Sequence, residues 1–119
     1  MRLAAIALIC SSLVCAACSH TFPVAVVSGG IPGGIMRGTG TAAASGGTFG
    51  FSNGSLNCAG NYDTWDMSPT ITVPMLCNDG RKGLITATRN ASGTGGGGRF
   101  TLTDGTTGDF IFGPAALQL

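Results

Sequence analysis

Apolar side chains in this chain recur with a period of two, and glycines punctuate the runs. TITVPMLC sets Ile71, Val73, Met75 and Cys77 in phase, the alternation of a strand with one face turned inward. KGLITATR, RFTLT and TGDFIFG keep the same rhythm, and the last two offer Phe100, Leu102, Phe110 and Phe112 as core candidates. Upstream, IMRGTGTAAAS puts Ile35, Arg37, Thr39 and Thr41 on one face and Met36, Gly38 and Gly40 on the other. Glycines at alternate positions leave room for a neighbouring backbone or ring to come close. GTFGFSNGSLNCAG predicts a hairpin, with Phe49 and Phe51 sharing one face and Leu56 and Cys58 returning on one face. Asn53-Gly54 suits a type I′ turn, in which both central residues take positive φ. PVAVVSG is a further strand, followed by the turn GGIPGG. Pro74 falls out of phase and predicts an edge strand or a bulge. NYDTWDMSPT reads as a polar loop, RNASGTGGGG as a loose one, and PAALQL as a tail that packs across the domain or frays.

Composition sharpens this pattern. Glycine supplies 21 of 119 residues and glutamate none, poor material for helices and good material for strands joined by tight turns. The expected fold class is all-β: a small Gly-rich antiparallel sheet, as a sandwich or a partly open barrel. The five acids are Asp63, Asp66, Asp79, Asp104 and Asp109. Beyond the leader they face Arg37, Arg81, Lys82, Arg89 and Arg99. This near-neutral balance lacks the basic stripe that nucleic-acid binding needs, so no nucleic-acid partner is expected.

The first residues form a separate unit. Arg2 precedes an apolar run from Leu3 to Val14, broken only by Ser11 and Ser12. About 12 residues rise roughly 18 Å as a helix, short of a ~30 Å hydrocarbon core. A positive start, a short apolar run and the small residues Ala16 and Ala17 describe a secretory signal peptide. Cys15-Ala16-Ala17-Cys18 resembles the lipobox of bacterial lipoproteins, although Leu is usual where Cys15 stands. The resemblance implies lipidation at Cys18, cleavage just before it, and acylation (palmitate among the acyl groups) of the new amine. In that family Asp after the cysteine often marks inner-membrane retention. Ser19 implies the outer membrane, facing the periplasm, with the inner membrane or the cell surface as alternatives. The expected division is a signal peptide at 1–17, a tether and first strand at 18–34, and a β domain at 35–119.

Export changes the meaning of the cysteines. Of five, Cys10 and Cys15 go with the leader and Cys18 carries the lipid, which leaves Cys58 and Cys77. An even pair in an exported chain reads as a disulfide. A metal site would need two further soft ligands, and only His20 remains.

Two wider likenesses follow from the turns. Gly96 to Gly113 runs G-x-G-x-F-x-L-x-D-G-x-x-x-x-F-x-F-G, which loosely resembles the hairpin repeat of membrane-occupation-and-recognition-nexus proteins. Cys58-x-Gly60-x-Tyr62, Pro74-x-x-Cys77-x-Asp79-Gly80-Arg81-x-Gly83 and the terminal Phe-Gly look like a small domain of proteobacterial envelope lipoproteins of unknown function, over residues 55–113. That likeness implies a class and no activity.

Candidate chemistry is sparse. Gly93 to Gly98 satisfies G-x-G-x-x-G, but a strand and turn follow where a dinucleotide site needs a helix. A Ser-His-Asp arrangement would have to use His20, beside the anchor. Asp79 and Asp104 are better explained as turn residues that bond their own backbone. The sequons Asn53-Gly54-Ser55 and Asn90-Ala91-Ser92 also read as turns. Tyr62, Asp63, Trp65 and Asp66 gather aromatics and acids in one loop, where rings stack on sugars and carboxylates take hydroxyl bonds. Asn61, Asp63 and Asp66 are oxygen donors of the kind calcium takes, without the EF-hand spacing. The expectation is a non-enzymatic, cofactor-free, metal-free envelope lipoprotein. It would serve as a structural or interaction module whose partners are the membrane, through the lipid, and an envelope protein or polysaccharide. A sugar- or peptidoglycan-fragment binder using the 61–66 loop is the alternative.

Overall fold

The structure, a computed structural model, describes residues 19–31 and 33–119. The segment expected as a signal peptide and Cys18, the expected lipidation site, lie outside the described residues. The eight strands are β1 (Ser19–Val27), β2 (Ile35–Ala43), β3 (Gly46–Ser52), β4 (Asn57–Tyr62), β5 (Thr70–Cys77), β6 (Lys82–Arg89), β7 (Gly96–Leu102) and β8 (Thr107–Phe112). Each pairs antiparallel with its chain neighbour, and β1 pairs with β8 to close the barrel. The fold is therefore all-β and the sheet closes fully, which removes free edges. Residues 18–34, expected as tether and first strand, contribute from Ser19 onward a full barrel strand.

Interior packing follows one rule. Phe22 faces Gly40, Phe49 faces both Gly40 and Gly60, Phe51 faces Gly38 and Tyr62 faces Gly47. Phe100, Phe110 and Phe112 face Gly108, Gly98 and Gly96. Every inward aromatic thus lies across from glycine, as small barrels need when large and small side chains must share a narrow interior. A Cβ at Gly60 would sit 2.6 Å from the Phe49 ring and 2.5 Å from the Pro74 carbonyl oxygen. The Gly-x-Gly of β2 receives the Phe-x-Phe of β3, and the Gly-x-Gly of β7 receives the Phe-x-Phe of β8.

Two expectations change here. The Gly-rich segment after Arg89 is only half a loop, because β7 begins at Gly96, where the Phe112 and Phe110 rings need glycine opposite. The turn at Asn53-Gly54 is not type I′. Gly54 has φ of 102°, while no described residue other than glycine has positive φ. Asn53 Oδ1 instead accepts the backbone N–H groups of Leu56 at 2.9 Å and Ser55 at 3.2 Å. That wider turn tucks Leu56 into the core.

Alternation of direction defines two ends. At one, here the base, lie the turns 28–34, 53–56, 78–81 and 103–106. Side chains knit them together. Asn78 accepts from the Asn57 N–H and donates to the Ser55 carbonyl, both at 3.0 Å. Arg81 bridges Asp79 at 2.7 Å and Asp104 at 3.0 Å. Buried Ser28 donates to the Thr107 carbonyl at 2.6 Å. Each turn Asp also accepts a backbone N–H two residues on, as expected. Met36, Phe51, Phe100 and Leu102 fill the interior above.

The disulfide Cys58–Cys77 joins directly opposed residues. It lies on the β4–β5 seam, which has three register pairs, the fewest of the eight seams. Pairing with β4 ends at Met75, so at Pro74 strand β5 has only β6 beside it. A proline is tolerated in this locally unpaired stretch of a closed barrel.

The outer wall is mostly polar, with Thr70, Thr72, Thr86, Thr88, Arg99 and Asp109 turned to solvent and with Leu76 and Leu84 exposed on β5 and β6. A membrane-spanning barrel has the reverse arrangement, an apolar band outside and a polar interior. Ala25 also points outward yet is fully buried. The tail explains it: Pro114–Gln118 forms a 3₁₀ helix that packs across β1. Arg37 holds it there by donating to the carbonyls of Ala116 and Leu119.

Candidate functional site at the barrel mouth

The other end, the mouth, gathers the start of β1, the turn at Ala44-Ser45, the loops 63–69 and 90–95, and the end of β8. Inward positions near it include Gly40, Ala42, Gly47, Ala87 and Gly96. The Phe22, Tyr62 and Phe112 rings lie over the three glycines, whereas Ala42 and Ala87 leave space beside them. A cavity of about 330 Å³ results. Its apolar wall includes Phe22, Phe49, Ile71, Val73, Ile85 and Phe110. Ile85 lies four residues below Arg89 on β6, about 13 Å down the strand. An eight-stranded barrel is at the size where the interior is either filled or holds one small ligand. In this chain the base half is filled and the mouth half is not.

Polar groups ring the cavity entrance. The Tyr62 hydroxyl donates to the Thr41 carbonyl at 3.3 Å. Burial raises the Tyr62 pKa above its ordinary value, and the nearby Arg89 charge partly opposes this. Arg89 donates from Nη1 to the Ser68 carbonyl at 2.8 Å and from Nη2 to the Asp66 carbonyl at 2.9 Å. These bonds tie the 63–69 loop to β6. Arg89 forms no ion pair with another described residue. Two of its five N–H donors are bonded in this way, and three remain. Thr64 is also a wall residue, and its Oγ1 is shielded from solvent with no hydrogen-bond partner among the described residues. His20, stacked on Phe22, stands at the lip.

The loop residues singled out by composition diverge. Tyr62 turns into the barrel. Asp63 accepts the Trp65 N–H at 2.9 Å, and Asp66 accepts the Ser68 N–H at 3.0 Å. The latter bond lowers the Asp66 pKa more than any other influence. Trp65 donates its indole N–H to the Ala44 carbonyl at 2.9 Å, yet the residue is 70% exposed. Met67, two residues on, is 81% exposed. Among the described residues no group of three or more His, Cys, Asp or Glu side chains is placed to hold a metal ion.

Sequence reasoning missed the cavity and Arg89. One signal was there: Arg89 continues the inward phase of Ile85 and Ala87, so a charge stands on the apolar face at a strand end. Fold and site define a disulfide-stapled, eight-stranded closed barrel with an apolar mouth. No family model, no curated protein and no solved structure matches the chain.

Proposed function

We propose that this chain is an envelope lipoprotein, tethered through Cys18, whose barrel is a binding module that accepts the apolar part of a small ligand in its mouth. One observation carries the binding reading: the ~330 Å³ cavity is lined by rings and aliphatic side chains and opens between the 63–69 and 90–95 loops, not into the packed base. Burial of ligand CH₂ groups there contributes roughly 0.8 kcal/mol each. The mouth offers orientation through Arg89, Tyr62 and Thr64, the few polar groups that such pockets use for specificity. The tether reading rests on the leader: residue 18 immediately precedes the lip residue Ser19, so an acylated Cys18 would bring the bilayer to the mouth end. Mass spectrometry of the mature chain should find an N-terminal Cys18 with added acyl mass, and a different N-terminus with none would end the tether reading.

A neutral apolar dye such as N-phenyl-1-naphthylamine tests binding with the full chain. Wild type should take up about one equivalent. Ala87→Phe should fill the cavity and weaken uptake at least tenfold while the melting temperature holds. Equal uptake by both would refute the cavity as the binding site.

A sugar-binding reading retains one supporting observation, the solvent-facing Trp65 ring beside the Asp63 and Asp66 carboxylates. Trp65 emission should shift on adding soluble peptidoglycan fragments if it is right, and an unchanged spectrum removes it.

A further inference from the structure

We propose that the ligand of the mouth is a single linear acyl chain ending in a carboxylate, its tail inside the barrel and its charged end at Arg89. This rests on the binding reading above and names its ligand class. Three observations point there. The first is size. A cavity of about 150 Å³ takes one benzene, so ≈ 330 Å³ has room for roughly a dozen carbons. The second is shape and lining. The wall reaches down to Val73 and Ile85, and no charged side chain lines it below the lip. That suits a tail and excludes a polyol.

The third is the charge at the entrance. Arg89 is the guanidinium among the wall residues. Its two bonded N–H groups go to neutral carbonyls, and it forms no ion pair with another described residue. The loop acid nearest in sequence, Asp66, spends a carboxylate oxygen on the Ser68 N–H and gives Arg89 its carbonyl instead. A half-buried cation held this way is oriented, and the Asp66 charge acts on it without forming an ion pair; a carboxylate is its natural bidentate partner. Thr64 lines the same entrance, and its hydroxyl has no hydrogen-bond partner among the described residues.

The test uses the full chain in phosphatidylcholine nanodiscs with three twelve-carbon photoreactive probes, alike except for a carboxylate, alcohol or trimethylammonium end. Peptide mapping should place the adducts on the inner wall, at Ile71, Val73 and Phe110. The carboxylate should label there about tenfold better than the ammonium, the factor a charge-assisted bond supplies. Arg89→Gln should abolish that preference, read as the carboxylate-to-ammonium ratio within the variant, and Arg89→Lys should restore part of it. Equal wall labelling by all three probes overturns the carboxylate assignment and leaves the binding reading standing. A tenfold ratio that persists in Arg89→Gln overturns Arg89 as head-group partner. No wall labelling by any probe overturns both readings.

Discussion

Substituting Gly98 by alanine would drive a methyl group into the Thr86 carbonyl, whose carbon lies 2.7 Å from the ideal Cβ position. Backbone cannot rotate away as a flexible side chain can, so Gly98→Ala should cost about 3 kcal/mol, the upper end for overpacking. Gly50 is the control. Its Cβ would meet nothing closer than the Cys58 carbonyl oxygen at 3.5 Å, so Gly50→Ala should be neutral or stabilise by up to about 1 kcal/mol. Urea unfolding midpoints compare the two. Charge at this scale matters at the base. The Asp104 carboxyl is held down to about 2, first by the Thr106 N–H and hydroxyl and then by Arg81. Asp79 and Asp66 are lowered as well. The unfolded chain therefore binds these protons more readily than the native one. Stability from these groups is complete above about pH 4, the ordinary Asp range, and drains as pH falls toward 2. Melting temperature measured from pH 5 to pH 2 should fall in that window, and Asp104→Asn should flatten the fall.

Among the elements, the β4–β5 seam is the weak one. Three register pairs hold it, and beyond Gly60 and Met75 the strands part around the 63–69 loop. The disulfide closes a loop of 19 residues at this seam, a constraint worth roughly 3 kcal/mol in the chain-entropy picture. Cys58→Ala with Cys77→Ala should lower the unfolding free energy by about that amount. Amide exchange should then speed first in β4 and β5, and a uniform rise over all eight strands would contradict this placement of the weak seam. Arg89 acts at the same scale. Its bonds to the Asp66 and Ser68 carbonyls cross the gap that the shortened ladder leaves, so one side chain both fixes the loop and presents its charge at the mouth.

For the whole molecule, the two ends have different work. The base is sealed by Ile31, Leu56 and the Arg81 bridge, while the mouth keeps its cavity and sets Trp65 and Met67 outward at its rim. Tryptophan is favoured where one side of a ring is apolar and the other wet. If Cys18 is acylated, the single Trp65 should be quenched by brominated lipid in vesicles carrying the protein, and unquenched emission would separate the mouth from the bilayer.

The alternation of TITVPMLC, KGLITATR and TGDFIFG was enough by itself to fix strand phase, because a period of two assigns each side chain to a face without reference to any neighbour. For the same reason Cys58 and Cys77 could be paired from their number and the expected compartment. Which glycine meets which ring was not legible, since register depends on partners far along the chain: Gly96 reads as loop until Phe112 is set opposite it. The cavity is less legible still. It is a volume left over when Ala42 of β2 and Ala87 of β6 meet Phe22, Phe49, Ile71 and Phe110 from four other strands inside a closed barrel, and only closure brings them together.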